Sequence, residues 1–140
     1  MGGGATVQTL REFLKDEREA AAQYRRARPR FTARFTDRAE ADELDACLAS
    51  HEQRIARLER LIRDRGGEIG QDDVEVAAGA DVDDVGISSL EETEDRSLKH
   101  YLDDVGKLDG DARRLIAREI LPEQVRTYDW VNDLRLSHLG

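Results

Sequence analysis

Two eight-residue frames of the same type carry the residues most able to do chemistry. Glu17 to Tyr24 has the pattern E-x-x-A-x-x-x-Y, and Glu94 to Tyr101 has E-x-x-S-x-x-x-Y. A Glu-Gln pair follows each in the next helical stretch, Glu52-Gln53 after the first and Glu123-Gln124 after the second. The pattern predicts two related helical hairpins, each placing two carboxylates at mid-helix. Four carboxylates that converge inside a helical bundle form the ligand layout of a di-metal site. His51 adds an imidazole in a slot that apolar spacing assigns to the core. It is a possible ligand, with a core histidine satisfied by neighbours as the preferred reading. Tyr24 and Tyr101 read as amphipathic packing residues, with hydrogen-bond donation to the carboxylates as the alternative.

The elements that must position these groups follow from spacing. Val7, Leu10, Leu14, Ala21 and Tyr24 hold a 3-4 period with Glu17 inside the series, which predicts a first helix over about 6–28, stopped by Pro29. An unpartnered carboxylate on an apolar face is costly, so Glu17 is the anomaly to explain. A second helix is expected over 37–65 on the seam Leu44, Leu48, His51, Ile55, Leu58 and Ile62, closed by Gly66-Gly67. Residues 66–88 hold glycines, seven acidic residues and no basic one, and show no sustained period, which predicts a long crossover. Ser88 and Ser89, each three residues before a glutamate, offer capping boxes for a third helix over 89–108. Asp109-Gly110-Asp111 makes the next turn, and a fourth helix runs over 111–137 with Trp130 in its core seam and a kink or break at Pro122.

Glu17 and Glu52 are 35 residues apart and Glu94 and Glu123 are 29 apart. Folding each pair back puts its members at similar height, roughly 26 Å and 22 Å from their turns at about 1.5 Å rise per residue. The expected fold is therefore all-α: one domain over 1–140, an antiparallel four-helix bundle with a single long crossover between the second and third helices.

Bulk properties narrow the function. With 39% hydrophobic and 38% charged residues, the chain reads as a bundle with narrow apolar seams and charged outer faces. A net charge of −9 disfavours general attraction to nucleic acid or anionic membranes. The one cysteine, Cys47, leaves no intramolecular disulfide and fits a reduced cytoplasm. No apolar run is long enough to span a bilayer. The start Met1 to Thr6 formally fits a myristoylation pattern, and a flexible leader or cloning remnant is the preferred reading. Asp81 to Glu92 partly mimics a calcium loop, but Val85 removes a ligand, so a solvated acidic crossover is expected. Six arginines between Arg25 and Arg38, interleaved with Phe31 and Phe35, could grip single-stranded nucleic acid. Contact with acidic surface is the favoured use, either the chain's own 66–88 segment or a second copy, which predicts a homodimer at moderate salt.

Over residues 7–137 these patterns resemble the ferritin-like superfamily, in particular rubrerythrin-like domains. The segment spanning the third and fourth helices, Glu91 to Leu134 with Leu121-Pro122-Glu123-Gln124, is also similar to uncharacterised bacterial ferritin-like proteins associated with stress. The resemblance implies ferritin-like topology and a metal set of Glu17, Glu52, Glu94 and Glu123. It also implies E-x-x-H on the second and fourth helices, where this chain has Ile55 and Arg126 at the histidine positions. The departure implies a decayed, salt-bridged carboxylate core with no cofactor, in which Arg126 neutralises Glu123 or Glu94. The chain would then be a non-catalytic, stress-associated or interaction module. The alternative is a di-iron protein of ferroxidase or peroxidase type, with iron held by the four glutamates and His51 as the available imidazole. If four glutamates crowd together without metal, Glu94→Gln should leave stability unchanged or raise it.

Overall fold

The computed structural model describes residues 3–34, 38–70 and 86–137, and every regular element among them is helical. The elements are α1 (Gly3–Arg34), α2 (Arg38–Asp64), α3 (Ile87–Asp104) with a 3-10 turn (Val105–Lys107), and a composite fourth helix. That helix, α4, joins Gly110–Leu115, a π-helical turn Ile116–Ile120 and Leu121–Ser137. No described helix is long and apolar enough to cross a membrane.

The four helices pack around a shared interior, and their cross-contacts run in opposing order. Between α1 and α2, Arg18 meets Glu59, Arg25 meets Glu52 and Arg28 meets Asp45. Between α1 and α3, Glu17 meets Tyr101 and Tyr24 meets Glu94. Arg57 of α2 donates to the Glu119 carbonyl of α4 and Arg54 to Thr127, while Glu91 of α3 meets Arg135 of α4.

The interior is apolar at both ends and polar in the middle. One buried cluster contains Leu10, Phe13, Leu14, Leu58, Ile62, Leu108, Ile116 and Ile120. The other contains Tyr24, Ala27, Leu44, Cys47, Leu90 and Val131, with Trp130 packed against it. On every helix the residues between these clusters are polar: Glu17 on α1, His51 and Arg54 on α2, Glu94 on α3, Gln124 and Thr127 on α4.

Helix ends are set by local chemistry. Gly66, at φ +75°, closes α2 with bonds from its own N–H to Arg63 and from Gly67 to Ile62, both 2.9 Å. This is the left-handed glycine cap the sequence predicts. A Cβ on Gly67 would lie 2.9 Å from Val7, so the close of α2 fits tightly against α1. Asp109 caps α4 through Ala112 N–H at 2.9 Å, and its other contacts tie three helices together. Arg65 grips its carboxylate at 2.7 and 2.9 Å, and its own N–H donates to Thr6 at 2.9 Å.

Four local expectations need correction. α1 does not stop at Pro29 but continues through it to Arg34; the proline is exposed, so only one backbone hydrogen bond on the solvent side is lost. Residues 3–6 are helical rather than a flexible leader, and Thr6 is buried. α3 starts at Ile87 with Gly86 as its N-cap, and neither expected capping box is used. Pro122 causes no break: the preceding π turn, closed by a Leu121 N–H bond to Ile116, changes the register where the missing N–H falls. Of the calcium-like loop, residues 81–85 lie outside the described residues, and residues 87–92 form the first turns of α3 instead of a loop.

Candidate functional site

The polar layer is a closed network built around His51. Its Nδ1 lies 2.5 Å from Glu17 Oε1 and its Nε2 lies 2.6 Å from Glu94 Oε2, so the ring bridges the two repeat-frame carboxylates. Tyr24 donates to Glu94 at 2.6 Å, and Tyr101 donates to Glu17 at 2.5 Å. The tyrosines are thus hydrogen-bond donors to the carboxylates as well as core residues, and each serves the glutamate of the other repeat.

Arg54 lies one turn from His51 on α2. Its guanidinium reaches Glu17 at 3.4 Å, Ser50 at 3.0 Å, Thr127 at 2.9 Å, the Glu123 carbonyl at 3.2 Å and the Gln124 side-chain carbonyl. Gln124 and Thr127 pass this on, each donating to Glu94 Oε1 at 2.9 Å. Glu94 therefore accepts from four side chains, which saturates the lone pairs of a carboxylate. No buried side-chain nitrogen or oxygen among the described residues lacks a partner.

The electrostatics balance. Burial pushes the Glu17 carboxyl up, but Arg54 and His51 together with the Tyr101 hydroxyl overcome it and hold it below its ordinary value. Burial opposes ionisation of Glu94 as well, yet His51, Arg54 and Tyr24 bring it down to about 2. Burial and Arg54 push the His51 imidazole down, and the two glutamates outweigh them and raise it. With the ring protonated, the two carboxylates, the imidazolium and the guanidinium sum to zero, the condition under which buried charges persist. Burial and the neighbouring glutamates push both tyrosines well above their ordinary range, which keeps them neutral donors. Burial also pushes the Cys47 thiol up to about 12, so it is not a reactive thiolate.

Of the expected metal set, the structure brings Glu17, Glu94 and His51 together and leaves Glu52 and Glu123 out. Glu52 is exposed and pairs with Arg25 at 3.4 Å. Glu123 is partly exposed and pairs with Arg126 at 2.7 Å, so Arg126 does not neutralise a core carboxylate; Arg54 does. The inward i, i+3 pairs are His51 with Arg54 and Gln124 with Thr127. These sit one residue before the expected frame on α2 and one residue after it on α4. Sequence reasoning missed Arg54, Gln124 and Thr127. Their signal was present, since Cys47, His51, Arg54 and Leu58 continue one 3-4 series, and Ile120, Gln124, Thr127 and Val131 another.

A di-iron centre does not fit these residues. It needs open carboxylate oxygens and imidazole lone pairs. Both ring nitrogens of His51 face carboxylates, Glu94 has no free lone pair, and a permanently charged guanidinium lies in the same layer. Nor can a substrate reach the network directly: none of its side chains, from Glu17 to Thr127, exceeds 4% exposure.

Arg25 and Arg28 pair with Glu52 and Asp45 of α2, while the start of the crossover is held by other arginines. Arg11 donates to the Glu68 carbonyl at 2.9 Å and Arg18 to the Gly70 carbonyl at 3.0 Å. The stretch from Arg30 to Asp37 lies outside the described side chains. No known protein family, curated protein or solved structure matches the chain.

Proposed function

We propose that this chain is a ferritin-like four-helix bundle in which a metal-free salt-bridged layer stands in place of a di-iron centre. On this reading it is a non-catalytic, stress-associated or interaction module that works through its surface, as a dimer. The observation that carries the reading is the seating of Glu17 and Glu94 on the two ring nitrogens of His51, with Arg54 beside Glu17.

The helix order supports the topology. α1 is antiparallel to both α2 and α3, and α4 to both α2 and α3, so α2 and α3 run parallel. Gly67 lies against Val7, whereas Ile87 packs beside Tyr24, Ala27 and Leu44. The ends joined by residues 68–86 are thus at opposite ends of the bundle, the arrangement of a single long crossover. The internal echo of Glu17 with Tyr24 and Glu94 with Tyr101 supports descent from two related hairpins.

Iron loading tests the reading. Protein purified under iron-replete, oxygen-limited conditions should contain no interior iron and should not consume oxygen when given ferrous iron. Near two irons per chain would overturn it.

A further inference from the structure

On the outer face of α1 and α3, away from the buried layer, a second imidazole stands among carboxylates. His100 Nε2 lies 3.1 Å from Asp104 Oδ2 and 3.7 Å from Glu12 Oε2. We propose that Glu12, His100 and Asp104 form a binding site for one divalent cation of the zinc class. The proposal stands independently of the reading of the core.

Geometry carries it. A tetrahedral zinc with ligand bonds of about 2.0–2.1 Å holds its ligand atoms roughly 3.3–3.5 Å apart. The two separations from Nε2 bracket that spacing, and all three donor atoms lie within 4.8 Å of one another. The Glu12 and Asp104 oxygens lie within 4.8 Å of each other, so side-chain shifts of up to about 1.3 Å, led by the exposed Glu12, complete the triangle. The Glu12 side chain is 47% exposed, against 24% for His100 and 17% for Asp104, so the fourth position opens to water.

The ring is also held as a metal-binding histidine is held. Its Nδ1 pairs with Asp16, one turn from Glu12 on α1, which directs Nε2 at Glu12 and Asp104. A carboxylate behind a histidine fixes the tautomer and raises the basicity of the coordinating nitrogen. Phe13 packs against the ring at 4.9 Å and 72°, which restricts its rotation. One imidazole with two carboxylates suits zinc or cobalt better than calcium or magnesium, which prefer all-oxygen shells.

The test is zinc titration of the full-length protein against a chromophoric competitor, with cobalt(II) absorption as a coordination readout. One zinc per chain is expected, with a four-coordinate cobalt spectrum. His100→Gln should abolish that spectrum and weaken zinc by more than tenfold, and Asp104→Asn should weaken it by about tenfold. Asp16→Asn, which removes a positioning residue, should shift the cobalt spectrum and weaken binding while the helical fold in chelator is retained. His138→Gln and Cys47→Ser should bind as the parent does. Absence of binding at micromolar zinc, or binding that survives His100→Gln, overturns the proposal.

Discussion

Tyr24 on α1 donates its hydroxyl to Glu94 on α3 at 2.6 Å, and Tyr101 returns the relationship to Glu17 at 2.5 Å. Each repeat therefore stabilises the carboxylate of the other, which couples the α1–α2 and α3–α4 hairpins through charge. Tyr24→Phe and Tyr101→Phe should each cost about 1–3 kcal/mol, the range for losing a buried bond to a charged group. Both glutamates keep other donors, so the cost should not exceed that range. Chemical denaturation of the two single variants and the double variant measures it. Equal stability of either phenylalanine variant and the parent would show that the hydroxyls do not support the carboxylates.

Glu94→Gln should give the reverse of the outcome expected from crowded glutamates. Glu94 is paired with His51 and bonded to Gln124 and Thr127, so neutralising it leaves a buried cation in excess. A loss of about 3–5 kcal/mol is expected, and Arg54→Leu should cost a similar amount by leaving the layer one cation short. Arg126→Leu should change stability by less than about 1 kcal/mol, because its pair with Glu123 is largely solvent-exposed. Equilibrium unfolding ranks the three variants.

Stability should fall on both sides of mildly acidic pH. The His51 pKa is raised above its ordinary 6.5, so its contribution is full below pH 6.5 and is lost as pH rises through the folded value. The groups facing it are Glu17 and Tyr24 from α1, Glu94 from α3, and Arg54 from its own helix. Glu94, brought from an ordinary 4.5 to about 2, contributes above pH 4.5 and loses that contribution as pH falls toward 2. Its swing is on the order of 3 kcal/mol. His100 is raised too, so melting curves from pH 3 to 9 belong in a His100→Gln background with chelator present. A flat melting temperature between pH 6.5 and 9 would contradict a charged His51.

Four substitutions should rebuild a metal set in the observed frame. His51→Glu with Arg54→His, and Gln124→Glu with Thr127→His, place E-x-x-H on α2 and α4 facing Glu17 and Glu94. The variant without metal should be less stable than the parent, because four carboxylates then face each other without Arg54. Cobalt(II) or iron(II) should restore stability at two ions per chain. If metal fails to raise its melting temperature, the assignment of these positions to the ligand frame is wrong.

Much of the fold was legible because it rests on period and punctuation. Apolar 3-4 spacing located four helices, and Gly66 and Asp109 closed and opened them as their chemistry requires. Glu17, Glu94 and His51 were found because each interrupts an apolar series with a titratable group. Arg54 was not, since an arginine in a chain with 19 of them carries no signal by itself. Glu52 and Glu123 misled for the opposite reason: they matched the spacing that the family resemblance implies while the helical phase turned them outward. The π turn at Ile116–Ile120 contributes to that mismatch by shifting the register of α4 just before Glu123. A proline signals that a helix must adapt, but not whether it will kink, break or widen.

The protonation state of His51 tests the central claim most directly, because the core is metal-free and balanced only if that ring is a cation. Ring nitrogen-15 shifts and long-range proton couplings followed across pH should show both nitrogens still protonated above pH 6.5, with two hydrogen-bonded N–H resonances. A neutral ring with one bare nitrogen, titrating near 6.5, would contradict the account.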